Sequence, residues 1–175
     1  MKCVFLVTGV HGVGKSYFLN KVKENLEVPI YGASSLIRQY GTISDVNKRV
    51  SNSVKNQNDL LESIRYNVKD NKFILDGHTV LINGDGNFEK ISENVFAQMN
   101  LQGIIFVFDS PKKIAERLML RDGKIYTEEE IFKFQELEIK HSRYISEILN
   151  IPLFMYENGT SINEVIAVIK EWFDE

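Results

Sequence analysis

The chain has few of the residues that cross-link or interrupt a protein. Its 175 residues include one cysteine and three prolines. The single cysteine, Cys3, excludes an intramolecular disulfide and is typical of a reducing, cytoplasmic setting. No apolar run reaches the roughly 18 residues that a membrane-spanning helix needs, and no charged leader precedes the first apolar segment. We therefore expect neither secretion nor insertion into a membrane.

The sequence also lacks a large excess of charge of either sign. The 21 basic and 24 acidic residues are interspersed and give a net charge of −3. A basic stripe, the usual footprint of a nucleic-acid partner, is missing, so binding to DNA or RNA is not indicated. The chain also lacks a Gly/Ser linker, a low-complexity tract and an internal repeat. With 43% hydrophobic residues, we expect one domain over residues 1–175.

The most informative segment is Gly9–Ser16, which reads Gly-Val-His-Gly-Val-Gly-Lys-Ser. It matches the phosphate-binding loop pattern G-x-x-x-x-G-K-[ST] in full. The apolar run Cys3–Val7 before it is typical of a strand buried on both faces. After it, Phe18 and Val22 recur at helical spacing, so the loop is predicted to join a central strand to a helix N-terminus.

Such a loop binds a polyphosphate for physical reasons. The glycines let the backbone curl with its N–H groups pointing inward, and the helix start adds free donors and a positive dipole end. Lys15 would reach the β- and γ-phosphates of ATP, and the Ser16 hydroxyl would ligate Mg²⁺. The candidate ATP-binding residues here are Gly9, His11, Gly12, Val13, Gly14, Lys15, Ser16 and Tyr17.

The rest of the chain alternates between strand-like and helical patterns. The strand-like runs cover residues 2–8, 28–31, 72–76, 103–109 and 152–156. This alternation predicts an α/β fold with a five-stranded parallel sheet and helices on both faces. In such sheets the ligand crevice lies beyond the carboxyl ends of the strands, so the loops after residues 8, 31, 76 and 109 should surround one cleft.

Local signals place several element boundaries. The Ser110-Pro111 pair indicates a helix start, and Thr127 with Glu130 forms a capping box for a helix that runs toward Asn150. Apolar periodicity over 43–68 predicts two helices or one kinked helix, with the break at Asn56–Asp59. The segments 79–82 and 87–91 are predicted to form a small hairpin.

Taken together, these segments resemble the nucleoside monophosphate kinases of the adenylate kinase type, a family of P-loop NTPases, over nearly the whole chain. Gly32–Arg38 resembles the family's acceptor segment, and Phe73–Gly77 resembles the strand that carries its acidic residue. Phe106–Asp109 and Arg117–Arg121 are similar to the strand and helix leading into the lid. The resemblance implies an acceptor-binding helical insert at about 32–70, a short lid at about 121–127, and ATP with Mg²⁺ as cofactors.

The resemblance and the chemistry of phosphoryl transfer assign roles to individual residues. Transfer spreads negative charge over the moving group, so cationic side chains stabilise the transition state. Arg117 and Arg121 are four residues apart and share a helix face. Arg143 could have the same catalytic role, or it could form an exposed ion pair with Glu147, one helical turn later. The candidate catalytic residues are Lys15, Asp76, Arg117, Arg121 and Arg143, and Arg117 is also expected to contact ATP. The candidate acceptor-binding residues are Ser34, Ser35, Arg38, Asp76 and His78, and Ser16 with Asp76 would hold Mg²⁺, in part through water.

The sequence departs from the adenylate kinase pattern after Asp76. His78-Thr79-Val80 stands where that family typically has Phe-Pro-Arg, and residues 66–116 contain no arginine. The short lid and the Asp-Gly-His element resemble the small archaeal-type adenylate kinases and their dual kinase/ATPase relatives. The expected function is therefore ATP-dependent phosphoryl transfer to a nucleoside monophosphate or a similar small molecule.

Two alternatives remain open at the level of the sequence. One is a kinase of a hydroxyl acceptor such as a nucleoside, a sugar acid or a polynucleotide end, for which Asp76 would take the proton. The other is an ATPase switch that acts on a protein partner.

Overall fold

A computed structural model of the protein describes residues 2–44, 53–83, 86–123 and 125–174. The strands are β1 (Cys3–Thr8), β2 (Ile30–Gly32), β3 (Lys72–Asp76), β4 (Val80–Ile82), β5 (Phe88–Lys90), β6 (Leu101–Phe108) and β7 (Leu153–Glu157). The helices are α1 (Lys15–Asn25), α2 (Ala33–Ser44), α3 (Ser53–Tyr66), α4 (Glu93–Gln98), α5 (Pro111–Asp122), α6 (Glu128–Leu149) and α7 (Asn163–Asp174).

Five strands form a parallel sheet in the order β2-β3-β1-β6-β7. The strand that leads into the phosphate loop, β1, is central, and Leu6 pairs with Leu75 on one side and Ile104 on the other. The predicted five-stranded parallel sheet is thus confirmed. The strand limits differ from the prediction by only a few residues; for example, β6 begins at Leu101.

The core lies on both faces of this sheet. In β1, Phe5 and Val7 pack into one hydrophobic cluster, while Val4 and Leu6 pack into a second one. Helices α1, α5 and α7 bury residues in the first cluster, and α2, α3 and α4 in the second. This division follows from the alternation of side chains along a strand, and it confirms helices on both faces.

The predicted caps of α5 and α6 are confirmed. The Ser110 side chain accepts a hydrogen bond from the Lys113 backbone N–H, with Pro111 in the first turn. Thr127 and Glu130 form a reciprocal capping box, and α6 ends at Asn150 in the left-handed conformation. These caps satisfy backbone groups that a helix end leaves without partners.

The helices between β2 and β3 differ from the prediction in one respect. The break expected at Asn56–Asp59 is wrong, because α3 runs without interruption from Ser53 to Tyr66. The polar side chains there sit on a helix whose apolar face, with Leu60 and Ile64, packs into the core. Residues 45–52, which belong to the periodic stretch 43–68, lie outside the described residues.

The predicted hairpin after β3 is confirmed. Strands β4 and β5 pair antiparallel, with Val80 opposite Lys90 and Ile82 opposite Phe88. Gly84 and Asp85, which separate the two strand segments in the sequence, lie outside the described residues, and so does Lys124 in the predicted lid.

Candidate active site

A cleft of about 630 Å³ opens at the carboxyl ends of β1, β2 and β3. It lies where the sheet topology predicts a ligand crevice. The structure brings most of the predicted site residues to this one cleft. The lining includes His11, Gly12, Gly14, Lys15, Ser16, Ser34, Ser35, Asp76, His78, Arg117 and Arg121.

The phosphate loop curls as its glycines allow. Gly12 and Gly14 have φ angles of 79° and 100°, which side chains other than glycine rarely adopt. A Cβ at Gly14 would also lie 2.3 Å from Asn158 Nδ2. Because the N-cap of α1 is a glycine, no capping side chain competes for the first N–H groups of the helix, which are the usual binding site of a phosphate.

Lys15 lies at the closed end of the loop. Its ammonium group donates to the Gly9 carbonyl at 2.8 Å and contacts His78 Nε2 at 3.3 Å. Burial lowers the pKa of Lys15, and the nearby carboxylates of Asp76 and Glu138 oppose that shift. The ammonium is therefore desolvated and surrounded by acceptors, a state from which it can bind a phosphate strongly.

His11 projects from the same loop and its ring lies against His78, with ring centroids 4.5 Å apart. Burial of the ring, with its neighbours His78 and Lys15 as smaller causes, lowers the pKa of His11 to about 4. The residue as a whole remains exposed to solvent. His11 is neutral near pH 7 in the ligand-free protein.

Arg117 supports the phosphate loop from α5. Its Nη2 donates to Asp109 Oδ2 at 2.6 Å and its Nη1 to the Val13 carbonyl at 3.2 Å. The Asp109 side chain is 1% exposed, so its carboxylate is shielded from solvent, whereas the Arg117 side chain is 41% exposed. Asp109 was missed by sequence reasoning beyond its place before the Ser110 cap, although a carboxylate that directly precedes a capped helix is a recognisable signal.

The other predicted arginines lie farther from the loop. Arg121 lines the cleft at the end of α5, where it binds the neighbouring Asp122 carboxylate at 2.6 and 2.7 Å. Arg38 is exposed on α2 with its Nη2 3.4 Å from Ser35 Oγ, and Arg143 is exposed on α6. The described residues that line the cleft do not include Gly9, Val13, Tyr17, Arg38 or Arg143. The roles assigned to the site residues, inside and outside the lining, stay predictions.

A buried glutamate that sequence reasoning missed lies behind His78. Glu138 is 0% exposed, and its Oε1 is 3.2 Å from His78 Nδ1 and 2.7 Å from Thr8 Oγ1. Burial raises the pKa of Glu138, but its hydrogen bonds with His78 and Thr8 and the nearby charge of Lys15 outweigh burial and lower the pKa overall. A signal was present in the sequence, because Glu138 falls four residues after Phe134 on the buried face of α6.

Asn158, after β7, also contacts the phosphate loop. Its Nδ2 donates to the Val13 carbonyl at 2.8 Å, so this carbonyl accepts from both Asn158 and Arg117. Nothing in the sequence near Asn158 indicates this contact, which joins residues 145 positions apart.

The cleft has an apolar arm on the side away from the phosphate loop. Helices α2, α3 and α4 and the hairpin form its walls, and two amide side chains, Asn56 and Gln57, line it from α3. The apolar residues of this arm are Ile37, Leu60, Leu81, Ile91, Val95, Phe96 and Met99. The arm suits the flat, weakly polar face of a ligand better than a charged one.

A central parallel strand that leads through a Gly-Lys-Ser loop into a helix, beside a cleft at the strand ends, defines a P-loop NTPase domain. Residues 8–132 match the family AAA_17, described as an AAA domain. The chain belongs to this family, which is P-loop and kinase-like. No curated protein matches the chain.

Solved structures share the fold. An uncharacterised protein from Eubacterium ventriosum ATCC 27560 is 13% identical with a TM-score of 0.51, and the match covers 99% of both chains. A gluconokinase from Sinorhizobium meliloti 1021 is 14% identical with a TM-score of 0.50, over 94% of this chain and 87% of that one. At such identities the likeness shows the fold alone. Among the described residues no helix is long and apolar enough to cross a membrane.

Proposed function

We propose that the protein is an ATP- and Mg²⁺-dependent phosphotransferase that moves a phosphoryl group to a small acceptor bearing a nucleobase, such as a nucleoside monophosphate. The observation that carries this proposal is that the Lys15 end of the phosphate loop and the apolar arm open into one cleft. In this proposal residues 1–175 are one domain, with an acceptor-binding insert at about 32–70 and a lid at about 121–127.

The donor half of the cleft has the groups that a nucleoside triphosphate needs. The N–H groups of the loop and of the start of α1 would donate to a bound polyphosphate. The Lys15 ammonium would stay in contact with the phosphoryl group during its transfer. The Ser16 hydroxyl and the Asp76 carboxylate line the same cleft, and both are the hard oxygen ligands that Mg²⁺ prefers. When bound, Mg²⁺ neutralises charge on the phosphates.

The acceptor half favours a nucleobase over a sugar acid. A sugar acid presents hydroxyls and a carboxylate, for which the apolar wall has few partners, whereas a base can pack a flat face against the partly buried Ile37 and Leu81. The amides of Asn56 and Gln57 can each donate and accept hydrogen bonds at a base edge. The sugar acid in the name of the gluconokinase neighbour is therefore not carried over to this chain.

A hydroxyl acceptor, for example a nucleoside, is the second candidate. It is favoured by the position of Asp76, whose carboxylate lines the cleft at the end of β3 next to the phosphate loop. There it could accept a proton from an attacking hydroxyl. A phosphate acceptor needs no such base.

The test is production of ADP from Mg·ATP by the purified protein, first alone and then with nucleoside monophosphates, nucleosides and sugar acids. Strong stimulation by a nucleoside monophosphate, with the phosphorylated product identified by mass, supports the main proposal. Stimulation only by nucleosides supports the second candidate. Steady hydrolysis that no acceptor changes would reject both in favour of an ATPase switch, and Lys15→Ala controls for contaminating activity.

A further inference from the structure

The buried carboxylate of Glu138 is linked to Lys15 through one side chain. Glu138 Oε1 accepts from Thr8 Oγ1 at 2.7 Å and from the Thr79 backbone N–H at 3.2 Å, and it lies 3.2 Å from His78 Nδ1. His78 Nε2 in turn lies 3.3 Å from Lys15 Nζ. Glu138 therefore reaches the phosphate-binding lysine without touching it.

Packing and stability do not account for this glutamate. A buried carboxylate costs free energy unless its partners offset the lost hydration, and an apolar residue of similar size often replaces it without loss. All three of its hydrogen-bond contacts converge on Oε1, and Oε2 has no hydrogen-bond partner among the described residues. Such an incompletely paired charge on the core face of α6 points to a role in the site.

Both neighbours of His78 select the same tautomer. A lysine ammonium can only donate, so His78 Nε2 must accept from Lys15. An ionised carboxylate can only accept, so His78 Nδ1 must carry the proton that faces Glu138. The two contacts are compatible only when a neutral His78 is protonated on Nδ1.

We propose that Glu138 is a positioning residue for phosphoryl transfer: it holds His78 in the Nδ1-protonated tautomer, so that Nε2 accepts from Lys15 and fixes the ammonium at the base of the phosphate loop. This inference rests on the proposed function for its catalytic consequence. Its structural part is the tautomer of His78, which can be tested without measuring turnover. The arrangement matters because a flexible lysine gains catalytic value when its position is set before the substrate binds.

The tautomer can be measured directly in the wild-type protein. The ¹⁵N chemical shifts of the His78 ring report which of its two nitrogens carries the proton. We expect a protonated Nδ1 and an unprotonated Nε2. A protonated Nε2 overturns the proposal, and this result needs no variant to fold.

The variant Glu138→Gln keeps the shape and removes the charge. Because a Gln amide can donate to Nδ1, we expect the Nε2-protonated tautomer to rise and kcat to fall about 10- to 100-fold, with a smaller change in KM for ATP. Glu136→Gln, on the same helix but with a partly exposed side chain paired to Lys140 at 3.8 Å, is the matched control and should change kcat less than about twofold.

The double variant Glu138→Gln/His78→Ala tests whether Glu138 acts on Lys15 through His78. If Glu138 acts through His78, the double variant loses no more activity than His78→Ala alone. Additive losses, or a Glu138→Gln protein with an unchanged tautomer and kcat, would overturn the proposal. If no acceptor is phosphorylated at all, the proposed function fails, yet the tautomer measurement still decides the structural part of this inference.

Discussion

The guanidinium of Arg117 meets the carboxylate of Asp109 at 2.6 Å beneath the phosphate loop, and the same arginine donates to the Val13 carbonyl. Arg117 on α5 thereby holds the loop backbone directly, and Asp109, the residue after β6, holds the guanidinium in place. Asn158 donates to the same carbonyl, so two side chains from distant parts of the chain hold the loop at Val13.

We expect Asp109→Asn to lower the free energy of unfolding by about 1–3 kcal/mol, because a hydrogen bond between charged groups is replaced by a weaker one in a buried setting. Nucleotide affinity should fall as well, since the loop loses support. Urea denaturation and nucleotide titration measure the two effects. Lys113→Ala removes only an exposed contact to Asp109 at 3.7 Å and should cost less than about 0.5 kcal/mol; equal losses in both variants would contradict the prediction.

Lys15→Ala should lower turnover on the order of 10²- to 10³-fold, because it removes the cation that stabilises charge on the transferred group. Steady-state ADP production measures this. Lys23→Ala, a change at an exposed position of the same helix, is the control and should retain activity. Comparable activity in the Lys15 variant and the wild type would reject the loop as the catalytic site.

Gly14→Ala should weaken nucleotide binding at least tenfold, since the residue has φ 100° and the new Cβ, 2.3 Å from Asn158 Nδ2, would displace the amide that donates to the Val13 carbonyl. Gly86→Ala is matched in backbone angle, with φ 82°, but nothing lies within 4 Å of the new Cβ. It should cost only the conformational strain of about 1–2 kcal/mol and leave binding intact. Nucleotide titration of both folded variants separates crowding from strain, and normal binding by the Gly14 variant would contradict this account.

Stability should depend on pH through His11. Its folded-state pKa of about 4 lies below the ordinary value of 6.5, so between these values the unfolded chain binds a proton that the folded chain does not. Stability is therefore lost as pH falls through that window, with no further loss from His11 below it. We expect a change on the order of 1 kcal/mol, because water screens a partly exposed ring.

The measurement compares unfolding free energies of the wild type and His11→Asn at several pH values. The lowered pKa of Glu138 also makes stability fall in acid, so the prediction concerns the difference between the two proteins. The unfolding free energy of the wild type minus that of the variant should decrease as pH falls from 6.5 to about 4. A constant difference would show that the His11 ring is not desolvated in solution.

Arg38→Ala should raise KM for the acceptor about tenfold while sparing acceptor-free ATP hydrolysis, if α2 contacts the acceptor phosphate through the arginine fork. Arg65→Ala is the control, since Arg65 is exposed on α3 and pairs with Glu62 at 2.9 Å. Equal loss of transfer and hydrolysis in the Arg38 variant would indicate a structural role instead.

Features encoded by neighbouring residues were predictable. The phosphate loop, the buried strands and the caps at Ser110 and Thr127 all follow from short patterns, because backbone geometry and periodicity act over a few residues. The predicted break at Asn56–Asp59 failed for a related reason. Asn and Asp favour turns over helix interiors, but the apolar face of α3 packs on the core and keeps the helix continuous.

The sequence by itself determined the sheet, its two helical layers and the position of the phosphate loop after the central strand. Only the tertiary structure decided which side chains support that loop. Glu138 and His78 are 60 positions apart and Asn158 and Val13 are 145 apart, so no local pattern relates them. Their contacts exist because α6 and the loop after β7 dock against the strand ends, which depends on the packing of the whole core.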